Sequence, residues 1–199
     1  MTTLHYWLLS VFLLPSFACT FLEEPPPTPS SSFQHGSFDI DTFDTEQGPR
    51  SFAFDGEHLW VTLYGVQNVS KFDLQGRNKG TFKAGKYPRA LAYDDKNIWV
   101  GNSGENTVSK LSLDGNLLDT IQVGNHDTAP SALVFDGQHI WVAASWGNSV
   151  SKIQLDGRVE KTVQVPGFHP SPWDIISEGN SVWVASMGSN YLDRFDQDG

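Results

Sequence analysis

Short apolar runs separated by turn residues recur along the chain, and long stretches with the helical period of 3.6 are few. Between residues 131 and 165 the runs read "SALVFD" (131–136), "HIWVAAS" (139–145), "SVSKIQL" (149–155) and "VEKTVQV" (159–165). Each has the length of a strand and the β-branched and aromatic content that suits a pleated, half-buried surface. The connectors are of two kinds. Asp136-Gly137 and Asp156-Gly157 are tight-reversal pairs in which glycine supplies a positive φ, whereas "WGN" and "PGFHPSP" are looser.

This unit repeats. Tryptophans fall at Trp60, Trp99, Trp141 and Trp183, at intervals of 39, 42 and 42 residues, and three other series keep the same register. These are Pro49, Pro88, Pro130 and Pro172; Lys71, Lys110, Lys152 and Arg194; and Gly76, Gly115, Gly157 and Gly199. Unrelated residue types holding one register indicate internal duplication. Four antiparallel strands per unit of about 40 residues is the pattern of a β-propeller blade, and the absence of helical periodicity excludes a helical solenoid. The expected fold is therefore all-β, with blades at about 49–87, 88–129, 130–171 and 172–199. The stretch 38–46, "FDIDTFDTE", matches the fourth strand of the other units and is expected to complete the last blade, giving either a small ring or a partial propeller.

"PSALVFDGQHIWVAASWGNSVSKIQLDG" and "PRALAYDDKNIWVGNSGENTVSKLSLDG" resemble the repeats of streptogramin lyases (virginiamycin B lyases) and of YVTN-type bacterial propellers. The resemblance covers residues 49–199 and is specific for the blade rather than for an activity. It implies rings of six or seven blades, against four here. For the lyases it also implies a histidine acid/base and a carboxylate-bound Mg²⁺, and no local motif in these repeats anchors either one.

A position filled alike in every repeat answers to the fold, since one site needs one copy. The four tryptophans are thus expected between blades, and Asp55, Asp94, Asp136 and Glu178 as turn acceptors. The cationic series is expected to pair with this acidic series. His58 and His139 share a slot with Asn97 and Ser181, which marks a tolerant turn position rather than a ligand.

Functional candidates lie where the repeats differ. The turns joining first to second and third to fourth strands share one face of a propeller, and the looser loops share the other, together with the mouth of the central channel. Those loops and the adjoining strand starts carry Tyr64, Asn102, Glu105, Trp146 and Met187, and also Arg50, Arg89, His126, Asp127, His169, Trp173 and Asp174. They suit an unknown small molecule, peptide or protein, although drift at unconstrained surface positions would vary them too. His126 and His169 are the catalytic candidates under a lyase reading. The spacing matches no metal motif, and no cofactor is expected beyond Mg²⁺ under that reading. There is no Gly-x-Ser-x-Gly elbow, HExxH or phosphate loop.

Composition adds the compartment. The formal net charge is −10, which repels phosphate backbones and argues against nucleic acid as a partner. Residues 1–18, "MTTLHYWLLSVFLLPSFA", carry an apolar run from Leu8 to Leu14 and small residues at Ser16 and Ala18, as a signal peptide does. Cys19, the one cysteine, follows directly. This is similar to a bacterial lipoprotein signal, with Ser16 where leucine is usual, and residues 19–37 read as a Pro/Ser-rich tether. The expectation is export to the periplasm or cell surface, membrane contact only through a lipid on Cys19, and self-association if the ring is incomplete.

Overall fold

The computed structural model describes residues 42–124 and 127–196. They belong to one unit, Thr42–Gly199; the preceding unit is Met1–Asp41, and Cys19, the segments read above as signal peptide and tether, and residues 38–41 all lie outside the described residues. The runs within residues 49–196 are strands, whereas the described part of the stretch 38–46, residues 42–46, is not one. Blade one comprises β1 (Pro49–Phe54), β2 (Leu59–Leu63), β3 (Asn68–Phe72) and β4 (Asn78–Lys83). Blade two comprises β5 (Pro88–Tyr93), β6 (Asn97–Asn102), β7 (Thr107–Ser112) and β8 (Leu117–Gln122). Blade three comprises β9 (Pro130–Phe135), β10 (His139–Ala144), β11 (Ser149–Gln154) and β12 (Val159–Gln164). Blade four holds β13 (Pro172–Glu178), β14 (Ser181–Ser186) and β15 (Tyr191–Asp196).

All pairings are antiparallel between sequence neighbours, giving three four-stranded sheets and, among the described residues, one of three strands. Residues 42–48 form no strand. The hairpin turns behave as their composition requires: Gly137 and Gly157 both adopt φ of 94°, a region that costs an L-residue energy and glycine little. In blade two the corresponding turn residue is Asp95, at φ 67°.

The core lies between blades. One apolar cluster joins blades one and two around Trp60, Leu91, Ile98 and Val100; a second joins two and three around Trp99, Leu133, Ile140 and Val142; a third joins three and four around Trp141, Ile175, Val182 and Val184. Each tryptophan is fully shut in, so its indole N–H needs an acceptor. The turn aspartate provides it: Trp60, Trp99 and Trp141 Nε1 donate to Asp55, Asp94 and Asp136 at 2.8, 2.7 and 2.6 Å. The other oxygen of each carboxylate accepts two turn amides, those of Gln138 and His139 in the case of Asp136. One carboxylate thus fixes a hairpin and an inter-blade ring together. Blade four departs from this: Glu178 is exposed and takes no such bond, and Trp183 is 37% exposed.

The cationic series does something other than pair with these aspartates. Lys71, Lys110, Lys152 and Arg194 lie over the rings of Trp60, Trp99, Trp141 and Trp183, 5.0–5.9 Å from the centroids. Lys71 Nζ donates to Leu113 O (3.1 Å) and Lys110 Nζ to Leu155 O (2.6 Å), both in the next blade. Lys152 meets Glu160 at 3.3 Å. The aspartates already take a ring N–H and two amides, and the ammonium groups reach carbonyls of the next blade, or in the case of Lys152 the carboxylate of Glu160, instead.

Burial opposes ionisation of Asp136 and Asp55, but the tryptophan and amide hydrogen bonds outweigh it and hold both carboxyls below the ordinary 3.8. Their contribution to stability is therefore complete above that value and is lost as pH falls through the lower folded-state values. Asp136→Ala, which strands the Trp141 N–H, is expected to cost about 2–3 kcal/mol in urea unfolding at neutral pH. Glu178→Ala should cost less than about 0.5 kcal/mol. Asp136→Asn, which keeps one acceptor oxygen and cannot be protonated, should blunt the loss of stability below pH 3.8.

Candidate functional site

The first strand of each blade begins with proline, which suits a position where no ladder N–H is needed. The residue before it is left-handed in all four blades: Gly48 (φ 76°), Tyr87 (54°), Ala129 (49°) and Ser171 (50°). Its carbonyl accepts an amide from the looser turn of the same blade. Tyr64 N donates to Gly48 O at 2.9 Å, and Ser103, Ser145 and Met187 N donate to Tyr87, Ala129 and Ser171 O at 3.1 Å. The two kinds of loop on this face are thereby clasped within each blade.

The residue after the proline is an extra one. Pro88 pairs with Asn102 and Ala90 with Gly101, leaving Arg89 unopposed. In the same way Ser131 is left between Pro130 and Ala132, and Trp173 between Pro172 and Asp174. In blade one the irregularity spans Arg50 and Ser51. A β-bulge re-aims a side chain out of the strand's alternation. Here the four bulged positions, Arg50, Arg89, Ser131 and Trp173, line a single cavity of about 290 Å³, and Asp174 lines it beside them.

The cavity contains two cations without ion-pair partners among the described residues. The Arg89 guanidinium lies 3.9 Å from the centroid of the Trp173 ring. Burial, and then the charge of Arg50, push this guanidinium below its ordinary pKa, with Tyr64 acting in the opposite sense. Its Nη2 is closed off from solvent and finds no hydrogen-bond acceptor among the described residues. Arg50 lies 5.1 Å over the Tyr64 ring, which in turn stacks on Tyr87 at 4.9 Å. Ser131 Oγ is occupied structurally, donating to Ala143 O and Pro172 O. Asp174 accepts the Ile175 amide at 2.9 Å. A guanidinium with one unpaired nitrogen, beside a second arginine and an indole, can hold a carboxylate or phosphate on a flat organic body.

The remaining candidates separate from this group. Asn102 is not a surface residue: it is fully buried, its Oδ1 accepts the Gly85 amide, and its Nδ2 donates to Thr107 and Ser109 hydroxyls at 3.1 and 2.8 Å. Its counterparts Leu63, Ala144 and Ser186 are buried too, so variation in this slot reflects packing. Glu105 and Asp127 are exposed loop residues outside the cavity. Trp146 (72% exposed) and Met187 (66%) stand at turn tips, also apart from it. His169 is exposed, set edge-on to Phe168, and His126 lies outside the described residues. No group of three or more His, Cys, Asp or Glu suited to a metal ion occurs among the described residues. Tyr87 also belongs beside the site, through its stacking on Tyr64; its sequence signal is an aromatic in the slot before the proline, where the other repeats hold Gly, Ala and Ser.

No protein-family model matches the sequence, and the curated proteins include no match. Solved structures do match. Virginiamycin B lyase from Staphylococcus aureus superposes with a TM-score of 0.71 at 19% identity, over 78% of this chain and 55% of the lyase chain. Kuenenia stuttgartiensis hydrazine synthase matches at 0.68 and 20%, over 82% of this chain and 50% of that one. The computationally designed Ika4 protein matches at 0.66 and 14%, over 81% of this chain and 99% of Ika4. The chain thus spans about half the length of the lyase and of the synthase chain. At these identities the likeness shows the β-propeller fold, in agreement with the repeat pattern.

Asn102→Ala, which strands a buried amide and two hydroxyls, is expected to lower unfolding free energy by about 1–3 kcal/mol in urea titration. Trp146→Ala should change it by less than about 0.5 kcal/mol. The opposite order would return Asn102 to the surface set.

Proposed function

We propose that this propeller is a binding module for a small organic anion with a flat, unsaturated or aromatic body, taken up at the loop face by Arg50 and Arg89 against Trp173. The observation that carries this reading is Arg89: a guanidinium partly withdrawn from water, next to a like charge, with one nitrogen lacking an acceptor. Such a group gains more than an exposed arginine does when an anion arrives, because its desolvation has already been met within the fold. Trp173 remains 41% exposed and offers ring surface beside it. The overall charge of −10 repels extended polyanions and leaves small ones, which meet only the local field.

The module works outside the cytoplasm, exported by the leader and held at a membrane by lipid on Cys19 with residues 19–37 as tether; the support is the sequence pattern of 1–19. Mass spectrometry of the N-terminal peptide from membranes of the producing cell is expected to show acyl addition at Cys19, and Cys19→Ala should move the protein to the soluble fraction. An unmodified Cys19 in the soluble fraction would remove the anchor from the account.

The likeness to lyase structures raises metal-assisted elimination as a second reading. The described residues fit it poorly, since His169 stands apart from the cavity and no metal-ligand cluster is present among them.

Isothermal titration of the full chain with benzoate, inorganic phosphate and uncharged benzamide tests the binding reading. Benzoate is expected to bind saturably, phosphate more weakly and benzamide not at all. Arg89→Met should weaken benzoate by about 10- to 100-fold, the range expected for losing a charged hydrogen bond, and Trp173→Ala should remove the advantage of benzoate over phosphate. Equal binding of benzamide and benzoate, or an unchanged affinity in Arg89→Met, would overturn it.

A further inference from the structure

Every internal junction between blades is built from the same two surfaces. The leading blade presents a tryptophan face, formed in blade one by Ala53, Trp60 and Val69. The following blade presents a receiving face, formed in blade two by Leu91, Ile98 and Val100. Counting along the repeat, the tryptophan face of blade four is Ile176, Trp183 and Leu192. The receiving face of blade one is Phe52, Leu59 and Val61. Both are open. Leu192 is 71% exposed where Val69, Val108 and Val150 are at most 1%, and Phe52 is 75% exposed where Leu91, Leu133 and Ile175 are at most 8%. The apolar clusters join blades one to two, two to three and three to four, and among the described residues none joins four to one.

A second observation shows what the receiving face of blade one lacks. A side chain at Gly115 of blade two would collide with Phe82, which comes from the fourth strand of blade one; a side chain at Gly76 of blade one would collide in the same way with Phe43. Phe43 precedes Phe82 by one repeat. Blade one therefore already carries a residue in the place of a preceding blade's fourth strand, and what its receiving face lacks is the inner three strands. Blade four holds three strands among the described residues, with β15 at its edge.

We propose that the occupant is a second copy of this chain. Ile176, Trp183 and Leu192 of one copy pack on Phe52, Leu59 and Val61 of the other, and two such head-to-tail contacts about a twofold axis close one ring from two chains. The contact repeats junctions the chain already makes three times internally, and it does not depend on the ligand reading above.

Size-exclusion chromatography with light scattering on the full chain tests this. The expected mass is that of two chains. Phe52→Glu and Leu192→Glu, both at positions exposed in the single chain and so tolerable to its fold, should each give the mass of one chain with an unchanged β-sheet circular dichroism spectrum. Mixing the two variants should restore a two-chain species, because one intact junction remains between a good blade one and a good blade four. A one-chain mass for the unsubstituted protein, open assemblies larger than two chains, or a two-chain mass that survives both substitutions would overturn the proposal.

Discussion

An indole ring placed between two sheets removes a large apolar area from water, but its N–H must be satisfied where no water reaches. The rest of the structure depends on how that is done. Asp55, Asp94 and Asp136 accept the ring N–H with one oxygen and two hairpin amides with the other. The turn, the second strand and the next blade are thereby tied to a single carboxylate. Lysines laid over the rings extend the tie to carbonyls of the following blade. The one blade in which the aspartate is replaced, by Glu178, is also the one whose tryptophan, Trp183, is joined to no following blade among the described residues and stays partly in solvent.

Because this tie sits at the hairpin face and between blades, the opposite end of each first strand is free of structural duty. There the proline, the left-handed residue before it and the bulge after it hold the backbone in one geometry in every blade while leaving one side chain unconstrained. That slot reads Arg50, Arg89, Ser131 and Trp173. The scaffold brings four different side chains around one cavity without any of them being needed for folding, apart from Ser131, whose hydroxyl bridges blades three and four. Constancy and variation are properties of the same repeat, separated by a strand's length.

The fold was legible because four residue types repeat in register and each has a local reason to do so. The site was legible only in part. Arg50, Arg89, Trp173 and Asp174 share the loop face, as strand order predicts, but the bulge that gathers them depends on pairing register, which a single strand's pattern does not reveal. Asn102 stands beside a loop, a place that predicts exposure, but its slot is buried in all four blades and varies through packing. The partners of Lys71 and Lys110 are hidden for a different reason, since they lie 42 and 45 residues away in the next blade, where no local spacing points. Tyr87 joined the site through stacking on Tyr64, a contact between residues of adjacent blades.

If the bulged slot makes a local anion site on an acidic propeller, its arginines must respond to an anion before any others do. The most direct measurement is nitrogen-detected NMR of the arginine side chains during titration with benzoate. The Arg50 and Arg89 guanidinium signals are expected to shift and saturate together while those of Arg77, Arg158 and Arg194 stay in place. Uniform small shifts of all the arginines, or saturation at Arg194 with Arg89 unmoved, would contradict it.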